Sequence, residues 1–287
     1  MEIIDGVTLV GTGELVARAR AAGEGVAAFN VITLEHAAAI VAAAESTQRP
    51  VILQISQNAA RFHGDVRPIA AAAAALAHGS DAEVALHLDH VDERHLLHSA
   101  PSAGFSSAMF DAGALPYEDN VAATRAAAEW AHGAGVWLEA ELGYVGGKPD
   151  QPRSAHAAGV RTDVAEAVAF VRATGVDALA VAVGSSHAMT TRSARLDHDL
   201  IARLRDAVPV ALVLHGSSGV PDDDLRAAVR AGITKINVGT ALNVAYTGAL
   251  RRALNDDVEV VDPRSYLTPV RAAVTATVAA LLTPIAG

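Results

Sequence analysis

The chain has 287 residues, 51% of them hydrophobic, and a formal net charge of -10 from 32 acidic and 22 basic residues. That acidity argues against a nucleic-acid surface, and no polybasic run marks a membrane patch. The longest unbroken apolar run, Ile69 to Ala77, is roughly half a membrane span, the acidic start MEIIDGVTLV lacks the form of a signal peptide, and the absence of cysteine removes disulfides and thiolate chemistry. The expectation is a cytoplasmic protein without nucleic-acid or membrane partners.

Short apolar, β-rich runs recur along the chain, each followed by a helical pattern. GVAAFNV (25–31) leads into LEHAAAIVAAAEST, and PVILQIS (50–56) precedes IAAAAAALA, which reads as helix because alanine has the highest helix propensity. EVALHLD (83–89) and FSSAMFD (105–111) follow, then the helix YEDNVAATRAAAEWAHGAG and the strand VWLEAEL (136–142). A polar Gly/Pro-rich insertion, GYVGGKPDQPRSAHAAGVRT, separates this fifth strand from ALAVAVG (178–184). VALVLHG (210–216), the helix DDDLRAAVRAG and ITKINVG (233–239) complete the series.

Continuously apolar strands suit a parallel sheet covered by helices. Eight βα units in ~250 residues predict a (β/α)8 TIM barrel, one domain over 1–287, with a long loop after strand 5. A doubly wound sheet is the rival, but AAFNVITLEH lacks the Gly-rich turn that fold uses for dinucleotides. The insertion reads either as a tolerated surface loop or as a mobile lid. Its GGK is not a P-loop, since Leu142 occupies the first required glycine position and Pro149 follows the lysine.

Of the twelve histidines, His36, His78, His95, His98, His132 and His198 fall in helices or at their ends and read as solvated, while His63 and His156 fall in loops. His90, His187 and His215 end strands 3, 6 and 7, and those ends share one rim in a barrel. Three neutral imidazoles with an open fourth position make a catalytic zinc site, and unrelated rim histidines are the alternative. Strict alternation sends Asp89 and His90 to opposite faces, so both reach the site only if the strand loosens; otherwise His87 shares the inward face with Asp89. HGSSGVPDD after strand 7 and NVGTALN after strand 8 lie where such barrels bind phosphate. An ordinary turn and a helix-capping Thr240 are the plainer reading of the same residues.

From AFNV through PVILQIS, LHLDH, EAELG, VAVGSSH, LVLHGSSG and KINVGT to DPRSYLTPVR, the sequence resembles the class II, metal-dependent ketose-bisphosphate aldolases of the fructose- or tagatose-bisphosphate type. The resemblance implies zinc held by His90, His187 and His215, with Glu141 able to reach the metal region and Asp89 as general acid/base. It implies a dihydroxyacetone phosphate pocket from Gly216, Ser217 and Ser218 with Asn237, Val238, Gly239 and Thr240. Asn30, Ser56 and Arg271 match substrate- or phosphate-binding positions, the arginine serving this chain or a neighbouring subunit. A second, monovalent cation near the phosphate and a homo-oligomer, dimer or tetramer, are further implications. Two departures stand out. Where relatives carry an acidic residue just after the Gly-Gly of the lid, this chain has Lys148 and Pro149, with Asp150 as the nearest candidate for that catalytic role. Many relatives follow the strand-6 histidine with glycine, and here it is Ala188.

Cleavage of fructose 1,6-bisphosphate to dihydroxyacetone phosphate and glyceraldehyde 3-phosphate is the expected reaction, with tagatose bisphosphate or another ketose phosphate as alternatives. Three rivals stay open: a Schiff-base aldolase using Lys235, a metal-dependent hydrolase, and a non-catalytic sugar-phosphate sensor. Lys235 otherwise reads as a core lysine paired with buried carboxylates.

Overall fold

The computed structural model describes residues 9–142 and 160–286. Eight parallel strands, β1 (Val26–Asn30), β2 (Val51–Ser56), β3 (Val84–Val91), β4 (Ser107–Phe110), β5 (Trp137–Glu141), β6 (Ala178–Ala180), β7 (Ala211–Leu214) and β8 (Ile233–Val238), pair in sequence order and close on themselves into a barrel. The expected architecture is therefore present. The insertion after β5, with Lys148, Pro149, Asp150 and His156, lies outside the described residues.

The helices are α1 (Thr12–Ala22), α2 (Leu34–Thr47), α3 (Gln57–His63), α4 (Val66–His78), α5 (Arg94–Ser99), α6 (Tyr117–Gly133), α7 (Val164–Thr174), α8 (His198–Ala207), α9 (Asp222–Ala231), α10 (Thr240–Asp256) and α11 (Pro263–Ile285). Local signals fix their ends. Asp163 caps α7 by accepting from the Glu166 N–H at 3.0 Å, and Gly175 stops it in the left-handed conformation. The alanine run forms α4 behind its Asp65 cap. By length and composition α11 could cross a membrane. Here it buries Val270, Val274, Val278 and Leu282 and packs against α2 and α10, as a barrel-covering helix does.

Strand alternation divides the interior into two zones. Outward-facing residues such as Phe29, Leu53, Leu86, Leu138 and Leu212 form one core with the helices. Inward-facing residues near the strand starts are small and apolar: Val26, Ala28, Ala85, Ala178, Ala180 and Val213 pack with Leu15 and Val16 of α1, which plugs that end. Further along the same strands the inward positions turn polar yet stay buried: Gln54, His87, Asp89, Glu139, His215 and Lys235. The register stacks Asn30 beside Gln54, Gln54 beside His87, and Ser56 beside Asp89. A polar layer thus sits on an apolar floor, at the rim where barrel active sites form.

Candidate active site

β3 departs from regular pairing where the chemistry begins. Its register with β4 shifts between Leu88 and Val91, and His90 adopts φ of 48°, in the left-handed region rare for non-glycine residues. This irregularity turns two neighbouring side chains toward one cavity, which is lined by both Asp89 and His90. The loosening that sequence alternation required is present, and His87 also points into the barrel.

Four groups converge there: His90, Glu141, His187 and His215 each offer a donor atom, all within 4.8 Å of one another. The ring centroids of His90 lie 5.5 Å from His187 and 4.9 Å from His215. Carboxylates fix two of the imidazoles. His90 Nδ1 is 3.0 Å from Asp111 Oδ2, and His215 Nε2 is 2.9 Å from Glu139 Oε1. That leaves Nε2 of His90 and Nδ1 of His215 for the centre, with Glu141 Oε2 at 3.5 Å from the latter. A carboxylate behind a histidine is the arrangement that orients metal-ligating imidazoles.

The electrostatics favour a cation at this centre. Burial works against a charge on His90, yet Asp89, Asp111 and Glu141 outweigh it and lift its pKa to about 10. Burial would likewise raise Asp89, but His90, His87, Lys235 and His215 hold it below its ordinary value, so it is ionised at neutral pH. Nitrogen and carboxylate donors in this number fit zinc.

Asp89 is 2% exposed. Its Oδ2 accepts from Asn30 Nδ2 at 3.2 Å, and Asn30 Oδ1 accepts from Gln54 Nε2 at 2.9 Å. The β2–β1–β3 chain of amides therefore holds the carboxylate at one orientation. Beneath it, Lys235 Nζ lies 2.8 Å from Glu139 Oε2 and donates to Asn237 Oδ1 at 2.7 Å, all buried. The lysine is engaged in a core ion pair, and Asn237 also lines the cavity.

The loops after β7 and β8 meet across this cavity, whose volume is about 480 Å³ and whose wall includes Gly216, Ser217, Ser218, Asn237, Gly239 and Thr240. Two glycines are required there. Gly216 has φ of 67°, and a Cβ on it would stand 2.5 Å from the Ser186 carbonyl oxygen; a Cβ on Gly239 would meet Asn30 Oδ1 at 2.6 Å. Thr240 does not cap α10. Gly239 holds the N-cap position, and Ser218 Oγ from the other loop accepts the Ala241 N–H at 3.0 Å.

Other expected positions are scattered. Ser56 lines the cavity and caps α3 through the Ala59 N–H at 3.2 Å. Val238 turns its side chain into the helical layer, so only its backbone faces the loops. Arg271 sits on the exposed face of α11 and does not line the cavity. Asp150 lies outside the described residues. His36, expected to be solvated, is instead 3% exposed and stacked on Tyr246 at 4.7 Å, because the first turn of α2 packs against α10. Sequence reasoning missed Asp111, Glu139 and Gln54, and also Arg61, which lines the cavity from α3. The first two stood in strands already identified, and Glu139 is one alternation step from Glu141; Arg61 gave no signal.

Residues 10–285 match the family model "Fructose-bisphosphate aldolase class-II". A fructose-bisphosphate aldolase of Geobacillus stearothermophilus is 38% identical over 274 residues, covering 95% of each chain. One of Staphylococcus aureus is 39% identical over 272 residues, covering 94% of each. Among solved structures, the YdjI aldolase from Escherichia coli K12 superposes with a TM-score of 0.84 at 31% identity, covering 96% of this chain and 97% of that one.

Proposed function

Since the chain belongs to the class-II fructose-bisphosphate aldolase family and is a lyase, we propose that it cleaves fructose 1,6-bisphosphate reversibly to dihydroxyacetone phosphate and glyceraldehyde 3-phosphate. The reading rests on one observation above all: the His90, Glu141, His187 and His215 cluster beside an ionised, amide-held Asp89. In this reading the three histidines, with Glu141 in reach, hold zinc, which when bound acts as a Lewis acid on the substrate C2 carbonyl.

The chain's own groups supply the rest. Asp89 takes the C4 hydroxyl proton as the C3–C4 bond breaks, and returns it in the synthetic direction. Asn30 and Gln54 hold that carboxylate in line, so the proton moves to a fixed oxygen. Gly216, Ser217 and Ser218 with Gly239 and Thr240 bind the dihydroxyacetone phosphate end through N–H and hydroxyl donors, and the positive end of α10 favours the anion. Lys235 serves as structural counter-charge to Glu139 rather than as a nucleophile, so borohydride with substrate leaves no adduct. Asp150 is the candidate for the second proton transfer, at the dihydroxyacetone phosphate carbon. We place the enzyme in the cytoplasm, as a single domain in a homo-oligomer acting on a small sugar phosphate.

The test is release of dihydroxyacetone phosphate from fructose 1,6-bisphosphate, before and after chelation and with zinc restored. Activity lost with chelator and regained with zinc is expected. An Asp89→Ala enzyme that binds zinc normally and still turns over would refute the assignment of the base.

A further inference from the structure

A bisphosphate carries two dianionic ends, and the loops after β7 and β8 account for one. Among the described residues lining the cavity, Arg61 is the only arginine or lysine. It projects from α3, just after β2, and shares that part of the wall with Ser56, Gln57 and Asp92. Resting on the aldolase reading above, we infer that Arg61 binds the second phosphate of the substrate and thereby selects bisphosphates over monophosphates.

The local geometry supports the role and sets its strength. Arg61 Nε lies 3.1 Å from Glu93 Oε1, Nη2 also contacts that oxygen, and Nη2 is 3.5 Å from Asp92 Oδ1. Glu93 therefore holds one edge of the guanidinium plane, while Nη1 has no partner among the described residues. Gln57 fixes the segment carrying those acids: its Oε1 accepts from the N–H groups of Asp92 and Glu93 at 3.1 and 3.2 Å. The arginine is thus pre-oriented, with part of its fork open to an incoming phosphate. Glu93 also competes for the same charge, so it weakens phosphate binding while ordering the arginine. Arg271, the arginine matched from sequence to a phosphate position in this chain or a neighbouring subunit, is on the exposed face of α11 and outside this wall.

The quantity to read is selectivity: kcat/KM for fructose 1,6-bisphosphate divided by kcat/KM for fructose 1-phosphate, in zinc-loaded full-length protein. Arg61→Ala should lower that ratio by about tenfold or more, the loss expected for a charge-assisted contact to one phosphate. Arg61→Lys should fall between, since it keeps the charge and loses the fork. Glu93→Gln should move the ratio the other way, upward by roughly threefold, because it relieves the competing charge. Calorimetric binding of the two ketose phosphates to the same proteins gives the ratio independently of turnover. A ratio unchanged in Arg61→Ala, or one that falls in Glu93→Gln, would overturn the inference. Should wild-type protein bind both compounds but cleave neither, the aldolase reading fails, and the binding ratios still decide the role of Arg61.

Discussion

Replacing Lys235 by methionine would remove an ammonium group while keeping most of its volume. The lysine is fully buried and 2.8 Å from Glu139 Oε2, so the change strands a carboxylate in the barrel interior. Breaking one side of such a pair destabilises a protein by about 3–5 kcal/mol. His215 still faces Glu139 from β7 at 2.9 Å, which puts the expectation toward the lower end. With about 2.1 cal/mol/K of unfolding entropy per residue, 287 residues give roughly 0.6 kcal/mol/K, so Tm should fall by about 5–6 °C. Differential scanning calorimetry of chelated protein at neutral pH isolates the effect from zinc binding. The double variant Lys235→Met with Glu139→Gln should recover part of the loss, because neither group is then charged. A drop below about 2 °C, or a double variant worse than the single, would refute the argument that this pair stabilises the inner polar layer.

Asp111→Ala removes the carboxylate that holds His90 Nδ1, and zinc affinity by competition with a chromophoric chelator should weaken about 10–100-fold. Ala188 lines the cavity at φ of 59°; Ala188→Gly should relieve about 1 kcal/mol of backbone strain and raise Tm by roughly 1–2 °C, whereas a lower Tm would mean that the methyl group is needed for packing. Burial holds the pKa of His36 below its ordinary 6.5. On acidification the unfolded chain takes up that proton first, so the stabilising contribution, present above about pH 6.5, is lost as pH falls through the folded value. The drop in Tm between pH 7.5 and 5.5 should be smaller in His36→Phe, which keeps a ring against Tyr246.

Much of the fold was legible because parallel strands under two layers of cover leave unbroken apolar runs, and each of the eight runs became a strand. The histidines after the third, sixth and seventh runs were legible for the same reason: a barrel gathers its strand ends and the loops that follow them whatever their separation in sequence, although β6 ends at Ala180 and His187 stands on the loop beyond it rather than at the strand end. What stayed hidden depends on contact rather than order. Asp111 and Glu139 look like ordinary strand residues until the histidines they hold are placed beside them. Arg61 belongs to a seven-residue helix with no periodic signature, and its position at the cavity wall follows only from how α3 leaves β2. His36 was misread because one buried turn of α2 resembles a solvated one in sequence.

The kink in β3 also bears on attempts to move this chemistry elsewhere. Two adjacent residues on a regular strand face opposite ways, so copying an Asp-His dipeptide onto another barrel would deliver only one of them to its mouth. A transplant must carry the shift between Leu88 and Val91 and the left-handed backbone at position 90 along with the two side chains. For a protein engineer, the portable unit is a distortion of the main chain, and the two functional groups are its cargo.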